Sequence, residues 1–138
     1  ILVTSALFGM VRAGDRIPAY RLSAGSRLPG AGTIAARWRP SLTTALATLD
    51  EPGIDLRSGA YAAFAEVPGA ITVRVVTERR DGTRAVVSHW SKQAKGRLAR
   101  VLATGRARLD GPRDVIRAAR RAGLTVEQVD TLALQIMT

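Results

Sequence analysis

The stretch Ser88-His89-Trp90-Ser91-Lys92-Gln93-Ala94-Lys95-Gly96-Arg97-Leu98-Ala99-Arg100 holds the only His of the chain, both Lys residues and one of its two Trp residues. Cations packed this densely are suited to binding anions. Ser91 reads as an N-cap, and the helix formers after it predict a helix to about Ala103. At helical spacing Ala94, Leu98, Val101 and Leu102 fall on one face. Lys92, Lys95, Gly96, Ala99, Arg100 and Ala103 fall roughly opposite. Gly in a helix interior costs about 1 kcal/mol relative to Ala. At position 96 it leaves a flat, positive surface open to a large anion such as a phosphodiester backbone. The candidate phosphate-binding residues are therefore Lys92, Lys95, Gly96, Arg97 and Arg100. The plainer reading is a solvated basic face on an ordinary amphipathic helix.

A second cluster lies in Arg12-Ala13-Gly14-Asp15-Arg16-Ile17-Pro18-Ala19-Tyr20-Arg21-Leu22, a loop by its Gly and Pro content. It gathers Arg12, Asp15, Tyr20 and Arg21, which together could bind phosphate and position a proton. The competing reading is a structural loop in which Asp15 pairs with an Arg. A third candidate is Pro29-Gly30-Ala31-Gly32. Gly30 and Gly32 let backbone N–H groups turn outward before a helix N-terminus, as in helix-hairpin-helix motifs. The preceding Ser23-Ala24-Gly25-Ser26 makes a poor first helix, so that match is partial.

Several elements must position these groups. Ile1 to Leu7 reads as a buried strand, which Phe8-Gly9-Met10-Val11 leaves. Ile34 to Leu49 reads as a helix interrupted at Pro40, with Trp38, Leu42, Ala45 and Leu49 as its buried stripe and Arg39 at the break. Glu51-Pro52-Gly53 is a turn, Ile54-Asp55-Leu56 a short strand, and Ser58 caps a short helix over residues 60–64. Ile71 to Arg79 and Thr83 to Trp90 predict a hairpin about Asp81-Gly82, and its second strand leads into the basic helix. After a basic linker from Gly105 to Gly111, Pro112 starts a helix to Ala122. Val115, Ile116 and Ala119 face inward on it, and Arg113, Arg117, Arg120 and Arg121 face outward. Thr131 to Met137 reads as a final strand. The fold class is mixed α/β (α+β), a central mixed sheet with a β-hairpin and surrounding helices, over residues 1–138 as one domain.

With 138 residues, a core can form without staples. The chain has no Cys, which excludes disulfides and thiolate chemistry, and its single His excludes a His-rich metal site. The 21 basic and 11 acidic residues give a net charge of +10, which favours polyanions. All but two of the cations are Arg, suited to bidentate phosphate contacts, although GC-rich coding also enriches Arg and Ala. No apolar run approaches the ~20 residues of a membrane-spanning helix. The chain opens on Ile1-Leu2-Val3, without Met or a charged leader, and reads as the C-terminal portion of a longer protein that lacks its N-terminal segment.

Three blocks together carry a resemblance. They are Ser5-Ala6-Leu7-Phe8-Gly9-Met10-Val11-Arg12…Asp15…Pro18-Ala19-Tyr20-Arg21-Leu22, then Asp55-Leu56-Arg57-Ser58-Gly59-Ala60-Tyr61, then Val87-Ser88-His89-Trp90-Ser91-Lys92-Gln93-Ala94-Lys95-Gly96-Arg97. In their order and spacing they resemble the YaaA family of peroxide-stress-response proteins, in an actinobacterial-like form. The resemblance implies a cytoplasmic α/β protein that protects against hydrogen peroxide, limits free intracellular iron and associates with double-stranded or branched DNA. It places the family's Tyr-Arg-Leu block on Tyr20, Arg21 and Leu22, and its Lys-x-Ala-Lys/Arg-Gly block on Lys92, Ala94, Lys95 and Gly96. The family is also associated with a helix-hairpin-helix. No cofactor, metal or membrane partner is expected, and any effect on iron is expected to be indirect. The alternative is an enzyme acting on a nucleotide or other phosphorylated ligand. A protein-interaction segment, soluble through its charge, is a third reading.

Overall fold

The structure is a computed structural model that describes residues 1–50, 53–86, 90–106 and 108–138. Glu51 and Pro52 of the expected turn, the strand residues Val87, Ser88 and His89, and Ala107 lie outside the described residues, as does the side chain of Trp90. The chain divides into two compact units, Ile1–Glu51 with Arg57–Pro68, and Pro52–Leu56 with Gly69–Thr138.

The first unit opens with an antiparallel hairpin of β1 (Leu2–Ser5) and β2 (Gly9–Arg12). The first run was expected to be a buried strand. Instead Leu2 and Val3 are about half exposed, at 47% and 48%. A short apolar run there marks a strand but does not supply a layer to cover it. Residues 8–11 do not simply leave the strand, because Gly9, at φ 73°, turns them into its partner. The ring of Trp38 lies over Gly9, and its indole N–H donates to the Ala6 carbonyl at 2.9 Å.

A short hairpin follows, β3 (Arg27–Leu28) with β4 (Gly32–Thr33), and then α1 (Ile34–Ala47). Thr33 caps α1 by accepting the Ala36 N–H. The expected break at Arg39 does not occur, and α1 runs through Pro40. An interior Pro costs about 3 kcal/mol. The buried Ile34, Leu42 and Leu46 contribute about 1.5–3 kcal/mol each, which outweighs it. The buried stripe runs through these three residues with Trp38 partly buried, and Ala45 and Leu49 are exposed. Arg39 stays helical and donates to the Ala63 carbonyl. Ser58 precedes α2 (Gly59–Ala62) in the N-cap position without a side-chain capping bond. Phe64, just after α2, is fully buried with Ile34, Leu42 and Leu46.

The second unit is a five-stranded mixed sheet under two helices. Its elements are β5 (Ile54–Asp55), β6 (Ile71–Glu78), β7 (Arg84–Val86), α3 (Trp90–Thr104), α4 (Pro112–Arg121), β8 (Thr125–Asp130) and β9 (Ala133–Met137). The order is β5-β6-β9-β8, and β7 also pairs with β6. β6 is parallel to β5 and β9, whereas β6–β7 and β8–β9 are antiparallel. The expected mixed α/β class with a hairpin therefore holds. Ile71, Val73 and Val75 of β6 share a core with Leu134 and Ile136 of β9, Ala94 and Leu98 of α3, and Val115 and Ala119 of α4. Ser91 is not the cap expected for α3, since Trp90 is already helical.

Three outcomes test this packing. Leu98→Ala removes a side chain with no exposed surface and should cost about 2–5 kcal/mol of unfolding free energy in urea titrations. Leu49→Ala, at a site 45% exposed, should stay within about 0.5 kcal/mol. Gly9→Ala places a Cβ at 2.7 Å from Trp38 Cε3 in a left-handed backbone, and should lower the melting temperature and alter Trp fluorescence.

Candidate functional site

The site begins with the seating of α3. Ala94 and Leu98 are buried against β6, and Val101 and Leu102 are partly buried. With one turn per 3.6 residues, residues 92, 96 and 100 form a row on the far side. Lys92, Gly96 and Arg100 are all exposed. A Cβ built on Gly96 would meet nothing within 4 Å, so the middle of the row is open. From Lys92 to Arg100 the row spans about 12 Å of helix axis.

The structure places the other two expected phosphate-binding residues differently. Lys95 is half-buried, and burial pushes its ammonium pKa down. The Asp55 carboxylate on β5 opposes that shift, and Arg74 adds to it. Arg97 is exposed, but its Nη2 donates to the Ala122 carbonyl at 2.6 Å. Ala122 is the C-cap of α4, where carbonyls lack helical partners and the helix dipole attracts a cation. Arg97 thus ties α3 to the end of α4. No local signal in the sequence marks it, because its partner is a backbone carbonyl 25 residues away.

The loop cluster lies wholly in the first unit. Arg12, Asp15, Tyr20 and Arg21 are exposed there. Asp15 closes a turn: its carboxylate accepts the Arg12 N–H at 2.7 Å, and its own N–H donates to the Arg12 carbonyl. The Tyr20 hydroxyl lies 2.7 Å from Ser5 Oγ, and its ring meets Phe8 edge-on at 5.7 Å. Tyr20 belongs to the first unit and Lys92 to the second.

Gly30 and Gly32, at φ 70° and 75°, do form a hairpin before a helix. The element before it is β3 rather than a helix, which removes the helix-hairpin-helix reading at this place. Three residues between paired strands close the turn, with the Ala31 N–H donating to the Leu28 carbonyl.

Among the described residues no group of three or more His, Asp or Glu side chains could hold a metal ion. Nor, among them, is any helix long and apolar enough to cross a membrane.

Against this geometry, a sequence model described as peroxide stress protein YaaA matches residues 1–129. The chain belongs to the YaaA family. It is similar to a UPF0246 protein of Corynebacterium efficiens, 55% identical over 131 residues, covering 92% of this chain and 54% of that protein. A UPF0246 protein of Streptomyces coelicolor is 45% identical over 132 residues, covering 92% of this chain and 50% of that protein. One from Cereibacter sphaeroides is 36% identical over 138 residues, covering 92% and 52%. The chain spans about half the length of the curated relatives it matches.

In this YaaA-family chain the division of labour along α3 can be measured. Arg97→Gln should lower unfolding free energy by about 0.5–1.5 kcal/mol, through loss of the bond to Ala122. Lys92→Gln should change it by less than about 0.5 kcal/mol. Urea titrations of the two variants should differ in this order.

Proposed function

We propose that this part of the YaaA-family protein contacts DNA through α3, within a peroxide stress response in the cytoplasm. The observation that carries this reading is the exposed row Lys92–Gly96–Arg100 on a helix held by Leu98. Lys92 and Arg100 neutralise phosphates, and Gly96 lets the backbone come close. Each neutralised phosphate releases condensed counterions, so binding weakens steeply with salt and is indifferent to base sequence. The net charge of +10 draws duplexes from solution.

Protection from iron-linked damage then comes from occupancy of DNA. A cationic face repels ferrous ions and attracts the polyanion that such ions otherwise accompany. Metal capture by this face is the less favourable chemistry.

The alternative, an enzyme acting on a nucleotide or other phosphorylated ligand, would use Arg12, Asp15, Tyr20 and Arg21. It is the weaker reading because Asp15 is engaged in closing a turn and Tyr20 in a hydrogen bond with Ser5.

DNA affinity measured against salt tests the proposal. Lys92→Ala/Arg100→Ala should reduce the log–log slope by about 1.8 and weaken binding to all sequences alike. Arg79→Ala/Arg80→Ala removes the same charge from the β6–β7 turn and should leave the slope unchanged. Gly96→Leu should act in opposite directions on two readouts, raising helix stability by up to about 1 kcal/mol while weakening DNA binding by obstructing approach. Equal losses from the two double variants would mean that α3 has no special role.

A further inference from the structure

The outward face of α4 has no part in the functions assigned above. Arg113, Arg117, Arg120 and Arg121 fall within about a 100° arc of this ten-residue helix. All four are exposed, and together with Ile116 they line one open recess. Arg117 pairs with Asp114. Asp114 also accepts the Asp110 N–H, and these two bonds hold its carboxyl below the usual range. Among the described residues, Arg113, Arg120 and Arg121 have no acidic partner.

Helix stability accounts for only part of this arrangement, since Arg120 and Arg121 lie in the last turn, where the macrodipole favours cations. Arg113 sits in the first turn, where the macrodipole disfavours a cation. Arg113 with Arg117, and Arg117 with both Arg120 and Arg121, are like-charge neighbours at spacings that destabilise a helix. The repulsion between these neighbours is relieved when an anion bridges them.

The shape indicates which anion. Steps from residue 113 to 117 to 121 advance about 6 Å each along the axis. The full row is about 12 Å long, enough to face more than one phosphate of a DNA strand. Guanidinium groups grip phosphate oxygens bidentately. Ile116 gives their stems an apolar bed. The recess is open, and an extended polymer laid along a helix fits it better than a small enclosed ligand does.

We infer that α4 carries a second phosphodiester-binding surface, Arg113, Arg117, Arg120 and Arg121, which holds the DNA backbone independently of Lys92 and Arg100. This rests on the DNA reading above. It adds an arginine surface that contacts no base and sets much of the salt dependence.

The test measures duplex affinity by fluorescence anisotropy as salt is varied, on the full chain. Arg113→Gln/Arg117→Gln/Arg120→Gln keeps good helix formers and should lower the slope by about 2.7, a loss of roughly 500-fold near 0.1 M salt. The same three positions changed to Lys should retain the slope. Arg16→Gln/Arg79→Gln/Arg80→Gln removes equal charge elsewhere and should leave the slope unchanged. Far-UV circular dichroism checks each fold, and Arg120→Gln alone, with an expected drop of about 0.9, gives a readout if the triple variant does not fold.

If the α4 variants match the control while Lys92→Ala/Arg100→Ala loses affinity, the second surface is overturned and the DNA reading stands. If only the α4 variants lose affinity, the second surface stands and the α3 assignment falls. A wild-type chain that binds no duplex at low salt overturns both.

Discussion

Leu98 has no surface exposed to solvent, and its seat between β6 and α4 settles the orientation of α3. Once Leu98 and Ala94 are buried, no rotation of the helix is left free. Each cation along it then meets a determined environment. Lys92 and Arg100 point away from the core, Lys95 is drawn into the field of Asp55, and Arg97 reaches the end of α4. A charged run that looks uniform in sequence is divided by one apolar contact into solvent-facing and structure-facing members. The same seating fixes α4, because Val115 and Ala119 share that core and leave the arginines outside.

The first unit shows the reverse case, in which polar groups are absorbed by local architecture. Trp38 spans Gly9 and the Ala6 carbonyl, so the tip of the β1–β2 hairpin is held against α1. Ser5 Oγ accepts the Phe8 N–H inside that tip and meets the Tyr20 hydroxyl. Tyr20 thereby brings the following loop to the hairpin, and Asp15 shapes the turn that begins it. These contacts give Asp15 and Tyr20 structural partners that a reading of residue types alone does not show.

How much was legible in the sequence follows from the range of the forces involved. β6 shows itself through strict alternation at Ile71, Val73 and Val75, and α3 and α4 through their 3.6-residue stripes. The presence of an exposed row at Lys92, Gly96 and Arg100 follows from the same periodicity. β8 was not legible, because only Val126 among its six residues is buried. The continuity of α1 through Pro40 was hidden as well, since a local rule predicted a break and non-local burial of Leu42 and Leu46 overrode it. The exposure of Leu2 and Val3 depends on whether a layer covers them, which an apolar run cannot report. The separate fates of Lys95 and Arg97 depend on Asp55 and Ala122, partners that no short window contains.

The parallel pairing of β6 with β9 joins residues some 60 positions apart, as in the Thr72–Leu132 bond. Closing so long a loop must precede any return from the contacts it makes. On the ribosome, β6, α3 and α4 therefore emerge before the strand that completes their sheet. Until β9 arrives, half of the floor beneath Leu98 is missing, and α3 has no reason to hold one face outward. The nascent chain is polycationic throughout this interval, among ribosomal RNA, with its apolar stripe uncovered. The timing of β9 synthesis thus becomes part of how this sheet reaches its working form.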